Sequence, residues 1–241
     1  MVSLGGDICR LCLKESELRN SHILPEFLYA DVYDEIHRAL VISTGEEKYF
    51  QKGVREYLLC QQCETKLSRY EKYAKEIIQR IPSFSRDASG KFLYSNNVDY
   101  SQLKLFQLSI LWRASISTNE AFKQVELGRH EEIIRRMIDK ENPGNIYDYG
   151  CLMSIMLDTK ILHKIIQSPT RFNKKFLGHN AYKFITGNLT WVFIVSSHRV
   201  APNVQELLLH ESGLLRVMLY PHDEDLEIVK IAKTFYKMDK K

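Results

Sequence analysis

The 241 residues carry 44% hydrophobic and 11% aromatic side chains and a net charge of +4. That composition describes a folded globule with enough chain for one large core, or for a small module beside a larger one. The first residues, MVSLGGDICR, lack the apolar centre of a signal peptide, and the longest strong apolar run, LTWVFIV, is far shorter than the roughly 18 residues of a membrane span. The expectation is a soluble cytoplasmic protein with no membrane partner. Four of its five cysteines fall in two CxxC pairs, which suits metal binding in a reducing compartment better than a disulfide framework.

In chain order, Cys9 and Cys12 make the first pair, in ICRLCLK. Pro25 suits the first position of a short helix running toward Leu40. KYFQ–KG–VREYLL reads as a hairpin turning at Lys52–Gly53 and delivering Cys60 and Cys63. Leu67, Tyr70, Ala74, Ile77, Ile78 and Ile81 then recur with helical period until Pro82 stops the run. The segment Pro82–Asn97, rich in Ser and Asn, is the best boundary, giving a module over 1–82 and a second region over 98–241.

Beyond the boundary, Gln102 to Ile116 reads as an apolar helix and Arg129 to Asp139 as an amphipathic one. Ile146 to Leu157 fits either strand or helix, and apolar context makes Cys151 a buried, inert thiol. AYKFIT–GN–LTWVFIV is a hairpin turning at Gly187–Asn188, LLRVMLY a strand, and Asp225 to Met238 a closing helix. Strands and helices without βαβ alternation predict an α+β fold with an antiparallel sheet in the second region.

Charge is balanced over residues 1–82, with 12 basic and 13 acidic residues, but not later. From Thr159 to Gln205 there is no acidic residue and there are seven basic ones, among them Arg171, Lys174, Lys175 and Lys183. Phe172, Phe176, Tyr182, Phe184 and Trp191 are interleaved with them. Cations with stackable rings suit a nucleic-acid strand; the competing reading places the rings in the core and the charges on a solvated face.

The two CxxC pairs carry the chemistry. Each turns two thiolates onto one ion, and two pairs complete a tetrahedral zinc site. The 47 residues between Cys12 and Cys60 require the chain to fold back. One pair in a knuckle and the other where a strand meets a helix is the layout of a treble-clef finger.

Over residues 8–81 the chain resembles the HNH endonucleases, or ββα-metal nucleases, in their zinc-stabilised form. The resemblance rests on CRLC, SHILP from Ser21 to Pro25, and LLCQQCE opening a helix. It implies His22 as the general base that activates water beside a metal-bound phosphate. Three positions depart from the family: Ser21 replaces a metal-binding Asp or His, Glu64 replaces the His after the second CxxC, and Arg55 lies near an expected Asn. A carboxylate at Glu64 suits Mg2+ or Mn2+, with a further ligand from Glu26, Asp31 or Glu56. Lys66 and Arg69 are in place to contact phosphate. The resemblance thus implies a metal-dependent endonuclease, with DNA as first substrate, in a microbial defence or mobile-element system. The alternative is a non-catalytic zinc module that binds nucleic acid or a protein partner.

Overall fold

The computed structural model describes residues 7–30, 32–43, 46–51, 53–156, 165–172, 175–176 and 178–220. The fold is mixed α+β. Strands β1 (Asp7–Ile8) and β2 (Glu15–Ser16) form a minimal antiparallel pair around the first CxxC. Strand β3 (Leu18–His22) pairs antiparallel with β6 (Arg55–Cys60), from Leu18 opposite Cys60 to His22 opposite Arg55. Helix α1 (Gln61–Arg80) follows directly, burying Cys63, Leu67, Tyr70, Ala74 and Ile77 on one stripe, as the helical period requires.

Strands β4 (Arg38–Ser43) and β5 (Glu46–Gln51) form a hairpin between β3 and β6. They leave the small β3–β6 pair and join a nine-stranded sheet with β7 (Ser85–Arg86), β8 (Phe92–Ser95), β9 (Cys151–Met156), β10 (Ile165–Arg171), β11 (Asn180–Thr186), β12 (Leu189–Val195) and β13 (Leu215–Tyr220). The order is β5-β4-β10-β11-β12-β9-β13-β8-β7. The expected antiparallel sheet is therefore mixed, because β4 runs parallel to β10 and β9 parallel to β13. Strands from both sides of Pro82–Asn97 share this sheet, and one buried apolar cluster runs from Cys9 to Val217.

Two local expectations are corrected. Pro25 opens only a single 3-10 turn, Glu26–Leu28. The chain cannot continue as a helix to Leu40, because the Asp34 carboxylate accepts from the backbone N–H of Ile36 and of Arg38 and from Arg38 Nε, a turn that launches β4. The predicted 52–53 hairpin does not form either, since β5 pairs with β4 and β6 with β3. Gly53 marks where the two part: its φ is 73°, and a Cβ there would lie 2.9 Å from the Tyr29 ring.

Helix α2 (Tyr100–Ile116), capped by Asp99 accepting from the Gln102 N–H, is buried on nearly every side. It meets the sheet through Phe106 and Trp191, whose rings lie 6.1 Å apart. Helix α3 (Arg129–Asp139) packs against it. The opposite sheet face carries a smaller cluster, where Leu152 and Ile194 meet Val204 of the short α4 (Pro202–Gln205). The 146–157 ambiguity resolves in favour of strand β9, while the expected closing helix at 225–238 lies outside the described residues. No helix among the described residues is long and apolar enough to cross a membrane.

The all-round burial of α2 encloses Lys104, whose Nζ donates to the Tyr149 carbonyl at 2.9 Å. Burial pulls its amine down to about 8, against the nearby Cys151 and Asp148. Between pH 8 and about 10.5 the unfolded chain retains a proton on this amine that the native state has lost, so the Lys104 contribution to stability rises with pH there, by at most about 1.4 kcal/mol per unit. Urea melts across that window should give wild type a more positive slope of stability against pH than Lys104→Met; parallel profiles would contradict it.

Candidate metal centre and its surroundings

The sequence brings four sulfurs together by three local devices. Cys9 and Cys12 lie on the loop between β1 and β2, tightened by the Cys9 N–H donating to Lys14 O and the Leu13 N–H to Cys9 O. Leu13 takes a positive φ of 61° to close it. Cys60 ends β6 and caps α1, and Cys63 stands in the first helical turn. The four Sγ atoms lie within 4.8 Å of one another, and Cys12 and Cys60 are 3.9 Å apart. A zinc ion holding four thiolates at about 2.3 Å separates the sulfurs by roughly 3.8 Å, so the cluster could hold such a metal.

The surroundings favour one ionised sulfur, Cys9, while burial raises the Cys12 thiol and the hydrogen bond to Cys9 raises that of Cys63. The Cys60 N–H donates to Cys9 Sγ at 3.3 Å. Cys9 is the sulfur held low, at about 4, chiefly by a hydrogen bond from the Cys63 thiol and further by backbone N–H groups, against the opposing effect of burial. The N-terminus of α1 adds a positive field. Arg135 of α3, gripped by both Glu132 oxygens, donates to Leu11 O and fastens the loop to the rest of the chain. Cys151 is far less acidic than an ordinary thiol, raised by complete burial in β9, as expected of a core residue.

His22 sits at the far end of the β3–β6 pair from Cys60. Its Nε2 lies 2.5 Å from Glu26 Oε2, a contact without hydrogen-bond alignment, and is itself buried. Tyr33 donates to the other Glu26 oxygen at 2.7 Å, and Arg55 Nη2 stands 3.5 Å from Oε2. Burial, then Arg55, lower the His22 pKa, outweighing Glu26; the ring is neutral at pH 7. The His22 carbonyl accepts from Arg113 of α2 at 3.0 Å.

Glu64 occupies the first turns of α1, and its Oε1 is buried without a hydrogen-bond partner. Among the described residues, the four cysteines are the only group of three or more His, Cys, Asp or Glu ligands positioned to share an ion. Glu56 is committed elsewhere: its carboxylate accepts from Ser117 Oγ, from the Thr118 N–H and Oγ1, and from the Asn119 N–H. Glu26 is engaged by His22 and Tyr33, and Asp31 lies outside the described residues. Lys66 and Arg69 reach across to Asp139 O and Glu141, tying α1 to the end of α3.

In the basic window, Arg171 and Lys175 are exposed and Lys183 is half-buried on β11, while Lys174 lies outside the described residues. Phe172 and Phe176 are partly exposed with ring centroids 5.0 Å apart. Tyr182, Phe184 and Trp191 belong to the core instead. Sequence reasoning missed Arg113, 1% exposed, which pairs with Glu71 at 2.8 Å. Its signal was a cation inside an apolar helix that carries one other, Lys104. No protein-family model, no curated protein and no solved structure matches the chain.

Proposed function

We propose that this is a treble-clef zinc protein of the HNH type that acts by binding nucleic acid rather than by metal-dependent hydrolysis. The carrying observation is the commitment of the candidate carboxylates: Glu56 holds the 117–119 loop, and Glu26 is packed against His22 Nε2. A hydrated Mg2+ or Mn2+ needs carboxylates with free oxygens and room for several waters. The zinc, held by Cys9, Cys12, Cys60 and Cys63, is structural, because four thiolates close the tetrahedron. Exposed Arg171 and Lys175 beside Phe172 and Phe176 supply the cations and rings that a nucleic-acid strand engages.

The second reading is the HNH endonuclease itself. In its favour stand the unpartnered buried oxygen of Glu64, the kind of atom a missing cation leaves behind, and a His22 ring that is neutral and ready to accept a proton.

A supercoiled-plasmid assay with Mg2+ or Mn2+ separates the two. The binding reading expects no nicking by the zinc-loaded protein. It also expects a gel shift whose salt slope flattens by roughly 2 in Arg171→Glu/Lys175→Glu. Nicking that His22→Ala abolishes would install the endonuclease instead, and an unchanged salt slope would return the two cations to ordinary surface.

A further inference from the structure

A cavity of about 490 Å3 opens on the sheet face that α2 leaves uncovered. Trp191 of β12 turns toward Phe106 of α2, so its neighbours Thr190 and Val192 face the other way, into the cavity. Register sets the floor: Thr190 stands opposite Ser154 of β9, and Ser154 opposite Met218 of β13. Two hydroxyls on adjacent strands, with Cβ atoms roughly 5 Å apart, thus lie beside a thioether. Phe172 and Phe176, which follow β10, form an aromatic wall, and both rings are partly exposed. No acidic residue lines the cavity among the described residues, and its one cation there, Lys183, already has a partner within the protein.

We propose that this cavity takes one unpaired base of a single-stranded nucleic acid, which rests on the nucleic-acid reading above and narrows it to single strands. With Lys183 committed, the cavity has no charge to offer, so the group that enters it is uncharged. A base is uncharged, flat and apolar on its faces, and polar at its edge. The phenyl rings meet a face, and the hydroxyls of Ser154 and Thr190, each both donor and acceptor, meet the edge. The volume falls within the range of small-molecule sites, which combine an apolar lining with a few placed polar groups. Charge for the phosphates lies outside the cavity: Arg171 directly precedes Phe172, Lys175 directly precedes Phe176, and both cations are exposed. A duplex keeps its bases stacked and paired, out of reach of both rings, whereas a single strand splays them out.

The test measures fluorescence anisotropy of full-length, zinc-loaded protein with three labelled probes. They are a short oligothymidylate, an abasic strand with the same number of phosphates, and the oligothymidylate annealed to its complement. The oligothymidylate should bind at least about fivefold more tightly than either of the others, since one stacked base is worth roughly a five- to hundredfold gain. Phe172→Ala should remove a factor in that range and leave the abasic strand unaffected. Ser154→Phe, which fills the floor of the cavity, should act in the same direction. With 13C-methyl methionine, the Met156 and Met218 methyls of the lining should shift with oligothymidylate and not with the abasic strand, while Met137 of α3 stays unmoved. Oligothymidylate binding no tighter than the abasic strand or the duplex, or undiminished in Phe172→Ala, would overturn the cavity assignment and leave the nucleic-acid reading standing. Binding of none of the probes would overturn both. The comparison of probes on wild type needs no variant, so it decides even where Ser154→Phe fails to fold.

Discussion

Cys9→Ser and Cys63→Ser proteins should lose bound zinc and melt roughly 15 °C or more below wild type. Structural zinc contributes its binding energy to folding, and about 5 kcal/mol already shifts a chain of this size by 10–20 °C. The loss should not stay local. Leu58, Leu59, Leu67 and Tyr70, next to the cysteines in sequence, belong to the same buried cluster as Phe106 and Trp191. A loosened β6–α1 junction therefore exposes the seat of α2. Thermal melts followed by far-UV circular dichroism, with and without a strong chelator, measure this. Wild type under chelation should approach the mutants, and unchanged melting would show the sulfurs to be an ordinary thiol cluster.

Arg113→Met should cost about 3–5 kcal/mol, the range for removing one partner of a buried ion pair. Arg113 Nη1 serves Glu71 and the His22 carbonyl together, while Nε and Nη2 return to Ser109 O and Oγ. With the guanidinium gone, the half-buried Glu71 carboxylate and the His22 carbonyl lose their shared donor. Arg113→Lys restores the charge but not the fork and should recover only part of the loss. Arg113→Met/Glu71→Met should be more stable than Arg113→Met alone, since the stranded charge is removed. Chemical denaturation of the three variants supplies the numbers, and equal stability of single and double mutants would contradict an ionic role for the pair.

Local periodicity made much of this fold legible. Helix α1 follows from the spacing of Leu67, Tyr70, Ala74 and Ile77, and α3 from its amphipathic pattern; the β11–β12 hairpin follows from Gly187–Asn188 between two apolar runs. Pairing over long distances was not legible. The nearest sequence neighbour of β5 across Gly53 is β6, yet β4 lies beside β10, more than a hundred residues later, and carries β5 with it. Nothing in RALVIS names that partner, because an apolar strand fits any half-buried position. The candidate site divides the same way. A doubled CxxC restricts four residues to one chemistry, and those four sulfurs converge. His22 was identifiable as a titratable group, but its environment depends on Glu26 one turn on, on Arg55 across the strand pair and on Arg113 from another helix. Glu56 looked like any exposed carboxylate until the 117–119 loop closed over it.

The claim on which the account rests is that one zinc ion joins Cys9, Cys12, Cys60 and Cys63. Metal analysis with zinc-edge X-ray absorption, on protein purified without chelator, tests it most directly. The account predicts about one zinc per chain, surrounded by four sulfurs at about 2.3 Å with no nitrogen or oxygen in the shell. Folded protein without zinc, or a shell containing nitrogen or oxygen, would contradict it.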